Sequence, residues 1–335
     1  MCHNFRTMEA GPTTALPRPV RGLLRHFQAQ RPLRAGSLLI TLFGDAIAPR
    51  GGAATLGSLI RLAAPFGLAE RAVRTAVARL ARDGWLASRR AGRRSEYRLT
   101  RAGARRFAEA TRRIYAESPR SWNGRWTLVL LPPGAGRQTR EQLRWLGFGQ
   151  VSPALLAHPG CTLRAARASL RNVPGADGAL LLHSFGAGLA GDRELIARGW
   201  NLAALSRRYE RFVHRFSAIE PMLDAGGVTI GTAFLVRTLL IHEYRKIHLQ
   251  DPLLPPALLP QDWVGSAAYG LCRRLYGRVF LPAEEYLSAV AHRLDRPLPA
   301  LAAASVHSRF GGLRMQRFTP LGTRALVDDA PRLAR

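Results

Sequence analysis

Between residues 69 and 83 the apolar positions Ala72, Val73, Ala76, Val77 and Leu80 recur at helical spacing, which predicts a helix with that stripe turned inward. Its other side carries Glu70, Arg71, Arg74, Thr75, Ala78, Arg79 and Arg82. A shorter periodic segment precedes it, from Thr55 as N-cap to about residue 64, and Pro65, Phe66 and Gly67 break the chain between the two. After Asp83 and Gly84, Trp85 and Leu86 open a two-strand ribbon that returns to Leu99. Ala91 and Gly92 form its turn, and Arg89, Arg90, Arg93, Arg94 and Arg98 line it. Gly84 suits the left-handed residue that ends a helix. An apolar run at 38–47 predicts a buried helix ahead of this group. Thr100 is placed to cap another helix reaching residue 116, with Phe107, Ala110, Ile114 and Tyr115 inward.

Helix, turn, helix and basic hairpin is the plan of a winged helix-turn-helix, whose second helix enters the major groove of DNA. Arg71, Arg74 and Thr75 fall in the first half of that helix, where base edges are met. A two-pronged arginine–guanine pair discriminates by roughly 1–3 kcal/mol. Arg79 and Arg82 fall further along, suited to phosphates. A lone arginine-bearing helix face is often just a solvated face. Here a basic hairpin adjoins it, so double-stranded DNA is the expected partner, with Arg71, Arg74, Thr75, Arg79, Arg89, Arg90, Arg93 and Arg94 as its contacts.

The pattern changes at Trp122. Short apolar runs at 126–131, 155–158 and 179–185 read as strands, and 137–147 and 163–172 as helices, with a further short strand at 148–151. Strand, helix, strand, helix, strand in this space predicts a ferredoxin-like α+β sandwich. From Asp192 onward only helical patterns occur, at 202–223, 230–248, 266–278 and 283–294, with a proline-rich loop at 251–260. The fold class expected is therefore an α+β multidomain chain. It comprises a flexible basic arm at 1–34, a winged helix-turn-helix at 35–118, a ferredoxin-like domain at 119–191, an all-α C-terminal domain at 192–313 and a disordered tail at 314–335.

The 335 residues contain 47% hydrophobic residues but no uninterrupted apolar run near 18, so no membrane partner is expected. A formal charge of +28 favours an anionic partner. All but one of the 50 basic residues are arginine, Lys246 being the exception, so base composition of the genome accounts for part of the total. The distribution says more. Residues 35–120 hold 17 arginines against 6 acidic residues, whereas 201–335 hold 18 basic against 11 acidic over a longer stretch. The excess density lies where phosphates would be neutralised. Cys2, Cys161 and Cys272 are scattered without metal-ligand spacing, in keeping with a reduced, cytoplasmic protein.

Candidate chemistry is sparse. The helical run from His242 to Lys246 would need a second histidine at 246 to be a zinc-protease motif. The glycines at 186, 188 and 191 match a dinucleotide fingerprint by letters, without a supporting strand–helix–strand unit. No nucleophile–base pair is evident. The expectation is no enzyme, no catalytic residue, no metal and no cofactor.

Several short runs resemble the PaaX-type repressors of phenylacetate degradation: LFGD at 42–45, PRGG at 49–52, LGSLI at 56–60, ERAVRT at 70–75, GWL at 84–86 and GRRS at 92–95. WNGRWT at 122–127, LLIHEYR at 239–245 and DPLLP at 251–255 are similar to the same family, so the resemblance spans about 38–313. It implies a repressor with a winged helix, a Cas2-like ferredoxin domain and a helical C-terminal domain. It also implies a homodimer on a palindromic operator, released by phenylacetyl-CoA or a similar acyl-CoA effector. A Cas2-like nuclease would need an acidic residue where Leu131 runs into Pro132 and Pro133, so metal-dependent hydrolysis is not expected. A regulator of the same fold answering to another acyl-CoA or aromatic is the alternative, and an enzyme acting on a CoA thioester or nucleic acid a weaker one. Two residue groups are candidates for the effector: Trp122, Arg125 and Trp126, and His242, Tyr244, Arg245 and Lys246. Each has a plainer reading, the first as a packing anchor and the second as a buried polar brace of the helical domain.

Overall fold

Apolar side chains from both ends of the chain meet in one core, which runs from Val20 to Phe310. The computed structural model describes residues 16–30, 35–118, 121–186, 188–294, 296–301 and 303–313. Most of the expected arm, at 1–15 and 31–34, and the expected tail at 314–335 lie outside the described residues.

The remainder of that arm is not a flexible segment. Arg18–Ala29 forms helix α1, with Val20, Leu23 and Phe27 buried at helical spacing while Arg18, Arg21 and Arg25 face outward. The Phe27 ring packs edge-on against Phe66 at 6.0 Å and His242 at 5.4 Å. Burying one such side chain is worth about 1.5–3 kcal/mol, and tertiary packing of this kind is what holds short helices.

Helix α2 (Ala35–Leu42) continues through a π-helical turn at Phe43–Ile47 and a 3-10 turn at Ala48–Arg50. Strand β1 (Ala53–Thr55) and helix α3 (Leu56–Ala63) follow, with the Thr55 hydroxyl accepting from the Ser58 N–H. A 3-10 turn and Gly67, at φ 79°, lead into α4 (Glu70–Arg82). Strands β2 (Leu86–Ala91) and β3 (Arg94–Leu99) form the hairpin. Its two-residue loop begins at Gly92 with φ 58°, a conformation glycine adopts freely. The antiparallel order is β1-β3-β2. Helix α5 (Arg101–Ile114) is capped by Thr100. A Cβ on Gly103 would lie 2.3 Å from the Trp85 carbonyl oxygen, so only glycine lets α5 start this close to the hairpin's root.

Strands β4 (Arg125–Leu130), β5 (Gly149–Gln150), β6 (Leu155–His158) and β7 (Leu180–Phe185) form an antiparallel sheet in the order β5-β6-β4-β7. Helices α6 (Arg137–Trp145) and α7 (Leu163–Leu170) accompany it, and Leu143 and Ala166 pack with Val129, Leu131 and Leu156 on one face. Alternate strand residues, Trp126 and Ala157, meet Ile196, Leu254 and Leu258 on the other. Ile196 belongs to α8 (Leu189–Gly199), so the boundary expected at residue 191 falls inside a helix that belongs to the sheet.

The C-terminal portion comprises α9 (Leu202–Ser217), α10 (Ile219–Asp224), α11 (Ile230–His248), α12 (Gly265–Val290) and α13 (Ala303–His307). The two helices expected at 266–278 and 283–294 are one, with Pro282 inside it. Proline lacks the N–H that would donate one turn back. Yet Val279, Phe280, Ala283 and Leu287 are all buried in the common core, and that packing outweighs the lost bond. The helix ends at Val290, Ala291 is extended, and residues 292–294, 296 and 297 lie outside any helix.

A buried ionic cluster ties the first segment to the helical one. Asp45, in the π turn, accepts from Tyr115 Oη at 2.5 Å, Tyr276 Oη at 2.6 Å and Arg237 Nε at 2.8 Å, with Arg309 Nη1 at 3.2 Å. Glu284 pairs with both Arg237 and Arg50. Burial alone would raise the Asp45 carboxyl, but the two guanidiniums and two phenols together hold it below its ordinary value. The whole is a mixed α/β chain with two small sheets, and no helix among the described residues is long and apolar enough to cross a membrane.

Candidate nucleic-acid interface

On α4 the stripe Val73, Ala76, Val77 and Leu80 is buried, and Arg71, Arg74, Thr75 and Arg79 are exposed. Glu70 pairs with Arg74 at 2.6 Å across one helical turn, a contact both partners share with solvent. Such exposed pairs contribute only about 0.3–0.5 kcal/mol, little enough for an incoming phosphate to displace. The Thr75 hydroxyl donates back to the Arg71 carbonyl at 2.9 Å. Arg79 leans toward α2, where a Cβ on Gly36 would come within 2.7 Å of its guanidinium.

The hairpin stands beside this helix. Arg89, Arg90, Arg93 and Arg94 are all exposed. Arg74, Arg90, Arg93 and Arg94 line one cleft of about 970 Å³ between α4 and the hairpin. Arg89 and Arg94 border a smaller hollow of about 390 Å³ beside it. Arg71, Thr75 and Arg79 lie on the open surface of α4, outside the lining of either.

Three further arginines complete the large cleft. Arg61 comes from α3, and Arg293 and Arg296 from the loop after α12, some 200 residues away along the chain. Helical periodicity carried past residue 290 hides that loop in the sequence. Its position is fixed by hydrogen bonds. The His292 carbonyl accepts from the Thr55 N–H at 3.0 Å, and the His292 N–H donates to Ser58 Oγ at 2.8 Å. Glu96, buried on β3, accepts from the Leu294 N–H at 3.2 Å and Arg293 Nε at 3.4 Å. Burial would raise the Glu96 carboxyl, but the Leu294 N–H and Arg293 hold it low. Seven arginines and no acidic side chain line the cleft among the described residues. A polyanion is the ligand such a surface favours.

The chain's sequence has counterparts. Residues 34–103 match the family model described as PaaX-like protein, and residues 200–289 the PaaX-like protein C-terminal domain. The transcriptional repressor PaaX of Escherichia coli (strain K12) is 36% identical over 303 residues, which is 88% of this chain and 95% of that protein. The chain belongs to the PaaX family. A solved structure, the uncharacterized protein Rv0674 from Mycobacterium tuberculosis, aligns at 22% identity with a TM-score of 0.43, covering 67% of this chain and 89% of that one.

The two residue groups singled out for an effector are held apart in this PaaX-family chain. Trp126 is buried and its Nε1 donates to Asp192 at 2.7 Å, while Trp122 Nε1 donates to the Pro159 carbonyl at 2.8 Å. Arg125 stacks over Phe185 at 5.6 Å. These contacts are those of a packing anchor. On α11, His242 meets Thr41 Oγ1 at 3.0 Å and Tyr244 meets His248 at 3.0 Å. Arg245 donates to Thr41 Oγ1 and to the Ser37 carbonyl, each at 2.8 Å, and Lys246 pairs with Glu243 at 3.0 Å. Four neighbours in sequence thus point in several directions, bracing α11 against α1, α2 and the end of α5. Two of the seven residues line cavities. Arg245 faces an apolar cavity between α2, α5 and α11, and Trp122 faces a polar cleft next to it.

Proposed function

We propose that this chain is a sequence-specific DNA-binding transcriptional repressor, the Escherichia coli relative being named a transcriptional repressor. In this reading residues 35–118 are a winged helix-turn-helix with α4 as recognition helix and the β2–β3 hairpin as wing. The four-stranded sheet with α6 and α7 is a ferredoxin-like domain, whose strand order supports that assignment. The observation that carries the proposal is the continuous arginine surface from α4 across the wing to residues 293 and 296. A binding protein of the cytoplasm, not an enzyme, accounts for it. The chain works as a homodimer, each α4 entering the major groove at half-sites about one helical turn apart. Its operator controls phenylacetate catabolism, and phenylacetyl-CoA or a similar acyl-CoA releases it. The ligand must favour the unbound geometry, since equal affinity for both states shifts nothing.

A gel-shift series with Arg74→Ala tests the DNA half. The operator sequence is first selected from a random duplex pool by the parent protein. The expected result is a loss of operator preference worth about 1–3 kcal/mol with non-specific binding retained. An unchanged ratio of operator to random DNA removes α4 from base reading.

A further inference from the structure

Between α2, α5 and α11 lies a cavity of about 360 Å³, walled by Ile40, Phe107, Ala110, Ile114 and Ile241 with Trp85 and Trp145. Its volume falls at the small end of ligand pockets, and its lining surface is mostly apolar. Three cations, Arg106, Arg113 and Arg245, line it together with the carboxylates Asp45 and Glu109. Burial pulls the Arg245 guanidinium down to about 10, which leaves it cationic at neutral pH.

Arg113 and Glu109 line this cavity and also a second, more polar cleft of about 670 Å³, which reaches Arg112, Ser121, Trp122 and Asn123. Arg113 and Glu109 therefore stand where the two adjoin. Arg113 is seated over the Trp145 ring at 5.5 Å and donates to the Trp145 and Asp251 carbonyls. An apolar chamber that adjoins a polar cleft across Arg113 matches a ligand with an aromatic head and a long polar tail. A complete coenzyme A thioester is too large for the chamber alone.

The chamber also touches the elements that support α4. Arg245 holds Ser37 and Thr41 of α2, and α2 packs on α4 beside Arg79. Trp85, in the wall, is the joint between α4 and the wing. Its N–H donates to the Leu80 carbonyl, and its own carbonyl accepts from the Thr100 N–H. A group lodged against Arg245 and Trp85 therefore meets both supports of α4.

We propose that this chamber takes the arylacyl group of the effector, with the coenzyme A portion passing Arg113 into the polar cleft. The assignment rests on the acyl-CoA-responsive repressor reading and adds the site and its route to α4. The test is calorimetry and operator release with full-length protein, using phenylacetyl-CoA, free coenzyme A and phenylacetate as separate probes. Ala110→Trp fills the chamber. It should bind free coenzyme A as the parent does and lose at least about tenfold in affinity for phenylacetyl-CoA. Arg113→Gln removes the cation that both cavities share. It should weaken free coenzyme A and phenylacetyl-CoA alike, by about ten- to a hundredfold, and it decides the matter if the tryptophan variant does not fold. If the parent releases operator with phenylacetyl-CoA and both variants respond as it does, the site is wrong while the acyl-CoA reading stands. If the parent binds no acyl-CoA yet still holds operator, the effector reading and this assignment fall together.

Discussion

Asp45 stands at the centre of the buried ionic cluster that joins the first segment to the helical one. Its carboxylate is enclosed by Arg237, Arg309, Tyr115 and Tyr276, with Glu284 and Arg50 completing the cluster. Replacing one partner of such a buried set leaves the others charged without compensation, at a cost of about 3–5 kcal/mol. Asp45→Asn should therefore lower the midpoint of urea unfolding by that free energy with an unchanged m-value. A loss below about 1 kcal/mol would show that the arginines find other partners. Because the folded carboxyl is depressed, this stabilisation is present above the unfolded value near 3.8 and fades as pH falls through the lower folded one. None of this was legible in the sequence. Asp45, Arg237 and Arg309 are separated by most of the chain, and nothing in local spacing says that a π turn will aim a carboxylate at α11 and α12.

Elements divide by whether their signal is local. The stripe of α4, the N-caps Thr55 and Thr100, and the arginine-lined hairpin could be read from residues a few positions apart, and they fold as the pattern predicts. Helix α1 was obscured because exposed arginines at 18, 21 and 25 dominate a segment whose three apolar contacts only acquire meaning against α11. The loop that begins at His292 was hidden for a related reason: its place beside the wing depends on Glu96 and Ser58, not on its own sequence. That dependence makes a prediction about the element. Glu96→Ala frees Arg293 and the Leu294 N–H, so the loop should lose its fixed position at the cleft. Every phosphate that the protein ceases to neutralise reduces the slope of log K against log salt by about 0.9. Operator and random DNA should then weaken together, with the slope smaller by about one to two units as Arg293 and Arg296 disengage. An unaltered slope in a salt titration of fluorescent duplex would mean that the loop makes no phosphate contact.

At the scale of the whole molecule, titration of three histidines reports on how the parts are joined. His242 is wedged between α2 and α11 against Phe27, and His248 joins Tyr209 and Tyr244 to the Ala116 carbonyl at the end of α5. His158 ends β6, its Nδ1 accepting from the N–H groups of Gly160 and Cys161 at 3.0 Å each. Burial depresses all three below the ordinary 6.5. Arg113 adds to the effect at His158, which falls to about 4, and Lys246 and Arg245 add to it at His242. The unfolded chain takes up these protons near pH 6.5, whereas the folded chain resists, so the unfolded state binds more protons below that value and stability falls with pH. Carboxylates such as Asp45 and Glu96, held low, stay charged through this window and contribute no slope of their own. The melting temperature should thus drop between pH 7.5 and 5.5. His158→Asn offers an acceptor to the same N–H groups without titrating, so it should make the drop shallower. Equal melting temperatures at the two pH values would mean that the folded histidines protonate as freely as the unfolded ones. A drop left unchanged by His158→Asn would leave the effect to the other histidines held low, His242, His248 and His26.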